Sequence, residues 1–158
     1  MQTISPMLWY DTQAEEAAKF YVSIFPNSKI TETTHYSEMG PRPAGLVMTV
    51  AFELNGQKFT ALNGGPETKF NWAVSFVIPC ETQEEVDHYW SKLTSGGGQE
   101  VECGWVTDKF GLSWQVTPTI LPKLLADPDK EKAKRVFKQM MTMKKLDIQP
   151  LLDAAEGR

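Results

Sequence analysis

The stretch TQAEEAAKFY at residues 12–21 decides the fold, because it recurs as TQEEVDHYW at residues 82–90. From the Glu-Glu pair to the aromatic pair, the two copies align at a constant offset of 69 residues. Each copy is followed by a glycine with an aromatic residue three positions later, at Gly56 and again at Gly111. A pair of glutamates is also common by itself in the first turn of a helix, where carboxylates face the positive end of the helix dipole. We interpret the two copies as one small structural unit that occurs twice.

The residues around the first copy predict a helix with strands on both sides. Asp11 and Thr12 are suited to cap the helix that follows them. Asn55-Gly56 is the strongest hairpin signal in the chain, because both residue types accept the positive φ of a two-residue turn. The predicted elements are a strand at 4–10, a helix at 14–24, and strands at 29–36, 46–54 and 58–62. The order of this unit is β-α-β-β-β.

The residues around the second copy predict the same order. The glycine run at 96–98 ends the second helix. A turn at 108–111 leaves a short strand between residues 105 and 108 as the weakest element. The predicted elements are a strand at 72–78, a helix at 84–93, and strands at 99–105 and 112–117.

After Pro118 the chain becomes helical and leaves the repeat. Asp147 is suited to cap a last short helix, and a methionine-rich apolar stripe precedes it at helical spacing. Such a stripe is typical of a buried face that packs on its own domain or on a second subunit. The stripe consists of Ala133, Val136, Phe137, Met140 and Met141. We divide the chain, as one structural domain overall, into a first module at 1–66, a second module at 67–118 and a helical extension at 119–158.

Length, charge and cysteine content restrict the class of protein. A chain of 158 residues buries enough surface to fold without disulfides, and Cys80 and Cys103 have no CxxC spacing. The net charge of −4 argues against nucleic acid binding, which depends on clustered Lys and Arg. No segment approaches the roughly 20 apolar residues that span a bilayer, and the N-terminal residues lack the pattern of a secretion signal. We expect a cytoplasmic protein with reduced thiols and with neither nucleic acid nor membrane as a partner.

Two segments carry a resemblance to a known family, FTALNGGP at residues 59–66 and GWVTDKFGLSWQ at residues 104–115. Together with the two βαβββ units, they resemble the PhnB-like branch of the vicinal oxygen chelate superfamily, whose members are often labelled 3-demethylubiquinone-9 3-methyltransferase domain proteins. The resemblance covers essentially the whole chain. It implies an α+β fold whose two modules form a half-open eight-stranded barrel, usually in a homodimer. It also implies kinship with glyoxalase I, extradiol dioxygenases, and bleomycin and fosfomycin resistance proteins.

In catalytic members of that superfamily, each module supplies two metal ligands, one on its first strand and one on its last. The resemblance places these positions at Pro6 and Thr60 in the first module and at Ser75 and Gln115 in the second. None of the four is the histidine or glutamate that catalytic members use. Neutral hydroxyl and amide oxygens lack the charge that offsets the dehydration of a divalent ion. We therefore expect a lost metal site and no cofactor.

Other side chains are weak candidates for a replacement metal site. His35 lies near a predicted strand end, and His88 lies on a helix as expected of a solvent-facing residue. Glu102, Cys103 and Asp108 are close in sequence, but their spacing matches no strong metal signature.

Side chains alternate between the two faces of a strand, and this parity predicts what lines the concave face of the barrel. It places these side chains inward: Leu8, Tyr10, Thr60, Leu62, Ser113, Gln115 and Thr117. Trp105 is expected to stack at the rim. Asp108 is suited either to bind a cationic or hydroxyl group or to begin the turn that ends at Gly111. The predicted ligand-binding residues are Tyr10, Thr60, Ser75, Trp105, Asp108, Ser113 and Gln115.

A concave face lined by hydroxyl and amide groups predicts metal-free binding of a small organic molecule, in sequestration or sensing. The enzyme alternative is a metal-dependent lyase, isomerase or dioxygenase that recruits His35, Glu102 or Asp108. A third alternative is an interaction protein that assembles through its helical tail. Methyl transfer finds no support, because the glycine run at 96–98 follows a helix and precedes a strand. A loop that binds S-adenosylmethionine typically lies between a strand and the helix after it.

Overall fold

The computed structural model describes residues 2–158 and separates them into two compact units, one ending at Lys69 and the other spanning Phe70–Arg158. Both units contain a strand, a helix and three further strands, in that order. The first unit contains β1 (Met7–Tyr10), α1 (Ala14–Ile24), β2 (Lys29–His35), β3 (Val47–Leu54) and β4 (Gln57–Asn63). The second contains β5 (Ser75–Cys80), α2 (Gln83–Thr94), β6 (Gln99–Glu100), β7 (Trp105–Thr107) and β8 (Ser113–Pro118).

Each unit builds one open four-stranded sheet. The strand order is β1-β4-β3-β2 in the first sheet and β5-β8-β7-β6 in the second. In both, the first strand of the unit runs parallel to the last, and the other neighbours are antiparallel. The α+β class and the two βαβββ modules predicted from the repeat are confirmed.

Helix α1 covers one face of the first sheet. Tyr21 of α1 stacks on Phe52 of β3 with ring centroids 6.1 Å apart, and Phe52 stacks on Phe59 of β4 at 5.4 Å. Asn55 and Gly56 make the tight turn between β3 and β4, with φ values of 48° and 84°. The predicted hairpin is therefore confirmed, because these are the positive φ angles that select Asn-Gly.

The two helices begin differently although their sequences repeat. At α2, Thr82 and Glu85 form a reciprocal capping box, in which each side chain accepts a hydrogen bond from the backbone N–H of the other residue. At α1, the N-cap residue Gln13 makes no side-chain cap. Instead, Asn63 Oδ1 of β4 accepts a hydrogen bond from the backbone N–H of Ala14 at 2.8 Å. The predicted local cap of α1 is wrong, because the capping oxygen lies on a distant strand.

The outer edge of the second sheet is short. The strand predicted at 99–105 is interrupted after β6 by a turn in which Cys103 and Gly104 have φ values of 57° and 84°. Their N–H groups donate to the carbonyl oxygens of Met143 and Lys144, at 2.8 and 2.7 Å. A Cβ at Gly104 would lie 2.7 Å from a methyl carbon of Leu146, so the C-terminal segment packs directly on this turn.

The C-terminal extension consists of α3 (Ile120–Leu125), α4 (Lys130–Met140) and α5 (Ile148–Glu156). It has its own apolar cluster, in which Val136, Leu146 and Leu151 are almost completely buried. An ion pair between Lys145 Nζ and Asp87 Oδ1, at 2.7 Å, joins the extension to α2.

The predicted apolar stripe of the extension is only partly buried. Val136 has no exposed surface, whereas Phe137 and Met141 are 50% and 54% exposed. Helical spacing alone does not distinguish the side of the stripe that faces the cluster from the side that faces solvent. None of the helices in the described part of the chain is long and apolar enough to cross a membrane.

Candidate functional site

The open face of the second sheet brings together four of the predicted ligand-binding residues. Ser75 of β5 and Gln115 of β8 are hydrogen-bonded, with Gln115 Nε2 donating to Ser75 Oγ at 2.9 Å. Trp105 lies opposite Gln115 in the β7–β8 pairing, and Ser113 lies beside Ser75 in the β5–β8 pairing. Because residues paired in register point to the same side of a sheet, the four side chains share one face.

The other face of the same strands is closed by the core of the unit. Trp114 and Val116 alternate with the site residues along β8 and are 2% and 0% exposed. Phe76 of β5 contacts Trp114 with ring centroids 5.6 Å apart. The sequence prediction for β8 is confirmed, because strand parity is reliable where one face is buried.

A groove of about 430 Å³ adjoins this open face. Trp105, Thr107 and Ser113 line it from the sheet, Glu102 and Cys103 line it from the interrupted edge, and all belong to the second unit. The Ser75–Gln115 pair lies next to the groove, because Ser75 pairs with Ser113 and Gln115 pairs with Trp105, and both of these partners line the groove.

Trp72 completes the lining of the groove and was not predicted as a site residue. The predicted strand includes Trp72, whereas β5 begins at Ser75 and leaves Trp72 in the preceding loop, where it is 76% exposed. Thr107 was also missed, although it has the same parity as Trp105 and the alternation rule would have found it. No sequence pattern predicts that Trp72 lines the groove, because the residues of a loop have no periodicity.

Asp108 is held inside the turn before β8. Its Oδ1 accepts hydrogen bonds from the N–H groups of Phe110 and Leu112, at 2.9 and 3.1 Å, and its Oδ2 accepts one from Trp114 Nε1 at 2.9 Å. The residue is 2% exposed. Of the two roles that the sequence leaves open, the structure supports the turn role, because the carboxylate is buried and engaged by three protein donors.

Tyr10 does not face the open side of the first sheet. It is 4% exposed, and its hydroxyl donates to the hydroxyl of Tyr21 on α1 at 3.2 Å. Met7 is the register partner of Thr60, so the odd-numbered residues of β1 share the open face with Thr60. The predicted inward placement of Tyr10 is therefore wrong, and the same holds for Leu8, which has the parity of Tyr10.

The error comes from a one-residue difference between the copies. The threonines that open the two copies are 70 residues apart, whereas the glutamates after them are 69 apart. The strand residues paired with Thr60 and Gln115 are also 70 apart, at positions 7 and 77. A shift of one residue moves every side chain of a strand to the other face. Ser5, and not Pro6, is therefore the counterpart of Ser75.

The residues at the superfamily's metal-ligand positions do not fit a divalent cation. Ser75 and Gln115 offer only neutral oxygens. The Gln115 amide also directs an N–H group toward Ser75, and an N–H group cannot coordinate a cation. Thr60 and Ser5 lie in the first unit and are equally uncharged. Within residues 2–158, no three His, Cys, Asp or Glu side chains come together in a way that could hold a metal ion.

Both thiols are held in the neutral form. Burial, with a smaller contribution from Glu102, raises the pKa of Cys103 above its ordinary value. Burial and Glu85 raise the pKa of Cys80 to about 12. Cys103 is half-buried and lines the groove, whereas Cys80 is fully enclosed. A neutral thiol is a weak nucleophile, so the groove has no activated cysteine.

The paired βαβββ architecture agrees with comparisons with known proteins. A family model described as 3-demethylubiquinone-9 3-methyltransferase matches residues 2–117. A Bacillus cereus structure described as a putative 3-demethylubiquinone-9 3-methyltransferase, PhnB protein, is 36% identical, covers 74% of this chain and 99% of its own, and has a TM-score of 0.67. The chain belongs to this PhnB-like family.

More distant structures share the fold. A Pseudomonas aeruginosa protein is 18% identical, with 75% of this chain and 98% of its own covered and a TM-score of 0.62. The fosfomycin resistance protein FosX from Listeria monocytogenes is 12% identical, with 75% and 93% covered and a TM-score of 0.51. No curated protein matches the sequence.

Proposed function

We propose that this protein binds a small organic molecule, without a metal ion, in the groove beside the open face of its second sheet. The groove itself carries the proposal. Its volume of about 430 Å³ falls in the usual range of small-molecule sites. Two tryptophans, Trp72 and Trp105, offer apolar contact area, and Thr107 offers a hydroxyl group, whereas Ser113 lines the groove from an almost fully buried position. A mainly apolar site with a few placed polar groups is what orients a small ligand.

The Ser75–Gln115 pair supplies hydrogen-bonding capacity next to the groove. In this pair the Ser75 oxygen accepts one hydrogen bond, which leaves its own hydroxyl hydrogen to donate. The Gln115 amide retains its carbonyl oxygen and a second N–H group. A ligand carbonyl, amide or hydroxyl would find both a donor and an acceptor here. The pair thus substitutes neutral hydrogen bonds for the metal coordination that the same positions perform in catalytic relatives.

The methyltransferase description of the family is not part of this proposal. The glycine-rich segment Ser95–Gly97 is a 3-10 turn that ends α2, and β6 follows it. A methyl-donor cofactor would need a loop at the start of a helix that binds its nucleoside or its carboxylate. At the start of each helix of the repeat, one N–H group already donates to a side chain, that of Ala14 to Asn63 and that of Glu85 to Thr82.

The test is a screen of small aromatic compounds against the purified protein in buffer that contains a metal chelator. Tryptophan fluorescence reports binding, and native mass spectrometry reports the subunit count, any bound metal and any retained ligand. We expect hits in the chelator, and we expect Trp105→Ala to weaken the best hit by about tenfold through loss of aromatic contact. Gln115→Ala should weaken it as well.

Thr33→Val is the matched control, because Thr33 is an exposed threonine on β2 of the first unit and does not line the groove. Its affinity for the best hit should equal that of the wild type. Binding that requires about one divalent ion per chain would contradict the metal-free proposal. Equal affinity in Trp105→Ala, Gln115→Ala and the wild type would exclude the groove as the site.

A further inference from the structure

The groove contains an imbalance of charge. Among the described residues that line it, Glu102 is the only charged side chain, and none is Lys, Arg or His. Cys103, its neighbour, contributes no negative charge of its own because burial keeps the thiol protonated. The electrostatic character of the lining is therefore set by one carboxylate.

Backbone groups of the interrupted edge do not compensate for that imbalance. Cys103 and Gly104 have left-handed backbone angles, a conformation in which successive N–H groups often bind an anion. Both N–H groups already donate to the C-terminal extension, and the N–H group of Trp105 donates to the carbonyl of Glu102 at 3.1 Å. An anionic ligand in this groove would thus lose water and find no positive partner, which is costly.

The groove also contains aromatic surface from two tryptophans. Trp72 and Trp105 both line the groove, one from the loop before β5 and one from β7. The face of an indole ring carries a negative quadrupole and attracts cations more strongly than the rings of Phe or Tyr do. The two indoles and the carboxylate of Glu102 therefore favour the same sign of charge in a ligand.

From this juxtaposition we infer that the ligand is a flat aromatic molecule that carries a positive charge, with its ring against Trp72 and Trp105 and its cationic group toward Glu102. The inference rests on the proposed function and names the ligand class of the same groove. An amine next to an aromatic ring, or a positively charged heteroaromatic ring, has the required chemistry. Neutral analogues bind through the ring alone, and anionic analogues are rejected.

Three probes with one ring system and different charges test the inference: 2-naphthylmethylamine, which is cationic at pH 7, 2-naphthylmethanol, which is neutral, and 2-naphthoate, which is anionic. Calorimetric titration gives their dissociation constants. We expect the cation to bind about tenfold more tightly than the alcohol, since the attraction of the indole rings for a positive charge and the ion pair with Glu102 add together. The anion should bind most weakly of the three.

The variant Glu102→Gln keeps the shape of the side chain and removes its charge. It should weaken the cation by about threefold, the size expected of an exposed ion pair, and leave the affinity of the alcohol unchanged, a split that general loss of structure would not produce. Glu84→Gln is the matched control, because Glu84 is an exposed carboxylate in the first turn of α2 and does not line the groove. It should change neither dissociation constant.

Protection of Cys103 from N-ethylmaleimide locates each probe, because Cys103 lines the groove and Cys80 is enclosed and unreactive. If the anion or the alcohol protects Cys103 and binds at least as tightly as the cation, the charge inference is overturned while the groove remains a binding site. An unchanged cation affinity in Glu102→Gln overturns it equally. If no probe protects Cys103 and the aromatic screen yields no ligand, the proposed function fails with it.

Discussion

The two modules share one topology but stabilise it in different ways. In the first, β2, β3 and β4 are 7, 8 and 7 residues long and pair antiparallel, with two register shifts between β2 and β3. In the second, the corresponding β6 and β7 have 2 and 3 residues. The missing edge is supported from outside the module, since the C-terminal extension supplies carbonyl oxygens to Cys103 and Gly104.

The difference extends to the helices and to function. The first module closes through Asn63, which joins the start of α1 to β3 and β4, whereas α2 caps itself and the equivalent strand position holds Pro118. The groove lies in the second module, at the edge where the sheet is interrupted. A fold built from a repeat can thus keep one copy as a regular scaffold and leave the other with an interrupted edge that opens a groove.

Among variants that test the difference between the modules, none is expected to lower the free energy of unfolding more than Asn63→Ala. Asn63 is 1% exposed, and its amide bonds both the N–H of Ala14 and the carbonyl of Val47. Truncation leaves a buried donor and a partly buried acceptor without this partner, which costs about 2 kcal/mol of the free energy of unfolding. Urea denaturation of the variant and the wild type measures this loss in the free energy of unfolding. Asn71→Ala, at an exposed asparagine, should cost less than about 0.5 kcal/mol, and a similar loss in both variants would contradict the special role of Asn63.

Gly104→Ala tests the dependence of the second sheet on the extension. The new Cβ would approach Leu146 at 2.7 Å and the carbonyl oxygen of Val116 at 2.8 Å, with the backbone at φ +84°. We expect a loss of about 2 kcal/mol, from backbone strain and displacement of the extension together. Gly45→Ala is the matched control, because it has φ +87° and nothing within 4 Å. Equal losses in the two variants would show that the extension does not press on the turn.

Thr82→Ala and Thr12→Ala separate the two ways of capping a helix. Thr82 caps α2, so its truncation should lower the free energy of unfolding by about 1 kcal/mol. Thr12, its counterpart in the repeat, does not occupy the N-cap of α1, and its truncation should have almost no effect. Thermal unfolding of the two variants side by side gives the answer, and an equal loss of stability in both would mean that α1 also has a local cap.

The smallest effect is expected at the ion pair between the extension and α2. The hydrogen bond from Lys145 lowers the pKa of Asp87, and the hydrogen bond to Asp87 raises the pKa of Lys145. The pair is partly exposed, so Lys145→Met should cost less than about 1 kcal/mol at pH 7. The stabilising effect is complete between the ordinary pKa values of 3.8 and 10.5.

Stability curves of the wild type and Lys145→Met should therefore converge at both ends of the pH scale. As the pH falls below 3.8, Asp87 becomes protonated through its lowered pKa and the difference disappears. As the pH rises above 10.5, Lys145 loses its proton through its raised pKa and the difference disappears again. A difference that persists at pH 2 would show that Lys145 contributes by packing and not by charge.

The sequence predicted the parts of the molecule that depend on local pattern. The repeat defined both modules, Asn55-Gly56 defined the hairpin, and the parity of β8 placed Ser113 and Gln115 on the open face. Each of these depends on residues close in the chain or on a buried face that imposes alternation.

The sequence failed where distant residues decide the outcome. The cap of α1 comes from Asn63, and the interruption of the strand after β6 depends on carbonyl oxygens of the extension. Tyr10 was placed on the wrong face because the first copy has one more residue than the second between its threonine and its glutamate pair. An alignment on the glutamates alone does not reveal this extra residue. Trp72 lies in a loop, where no period exists to reveal its contact with the groove.

The support of the interrupted edge by the extension has a consequence for the order of events during synthesis. Once the last strand of the first module has left the ribosome, the side chains and backbone groups that pair within this module are all available. The first module is therefore able to fold while the remainder of the chain is still being synthesised. Lys144, whose carbonyl holds Gly104, follows Gly104 by 40 residues. The wall of the groove is thus among the last features to form, and a nascent chain halted near residue 125 would carry a finished scaffold and an unfinished groove.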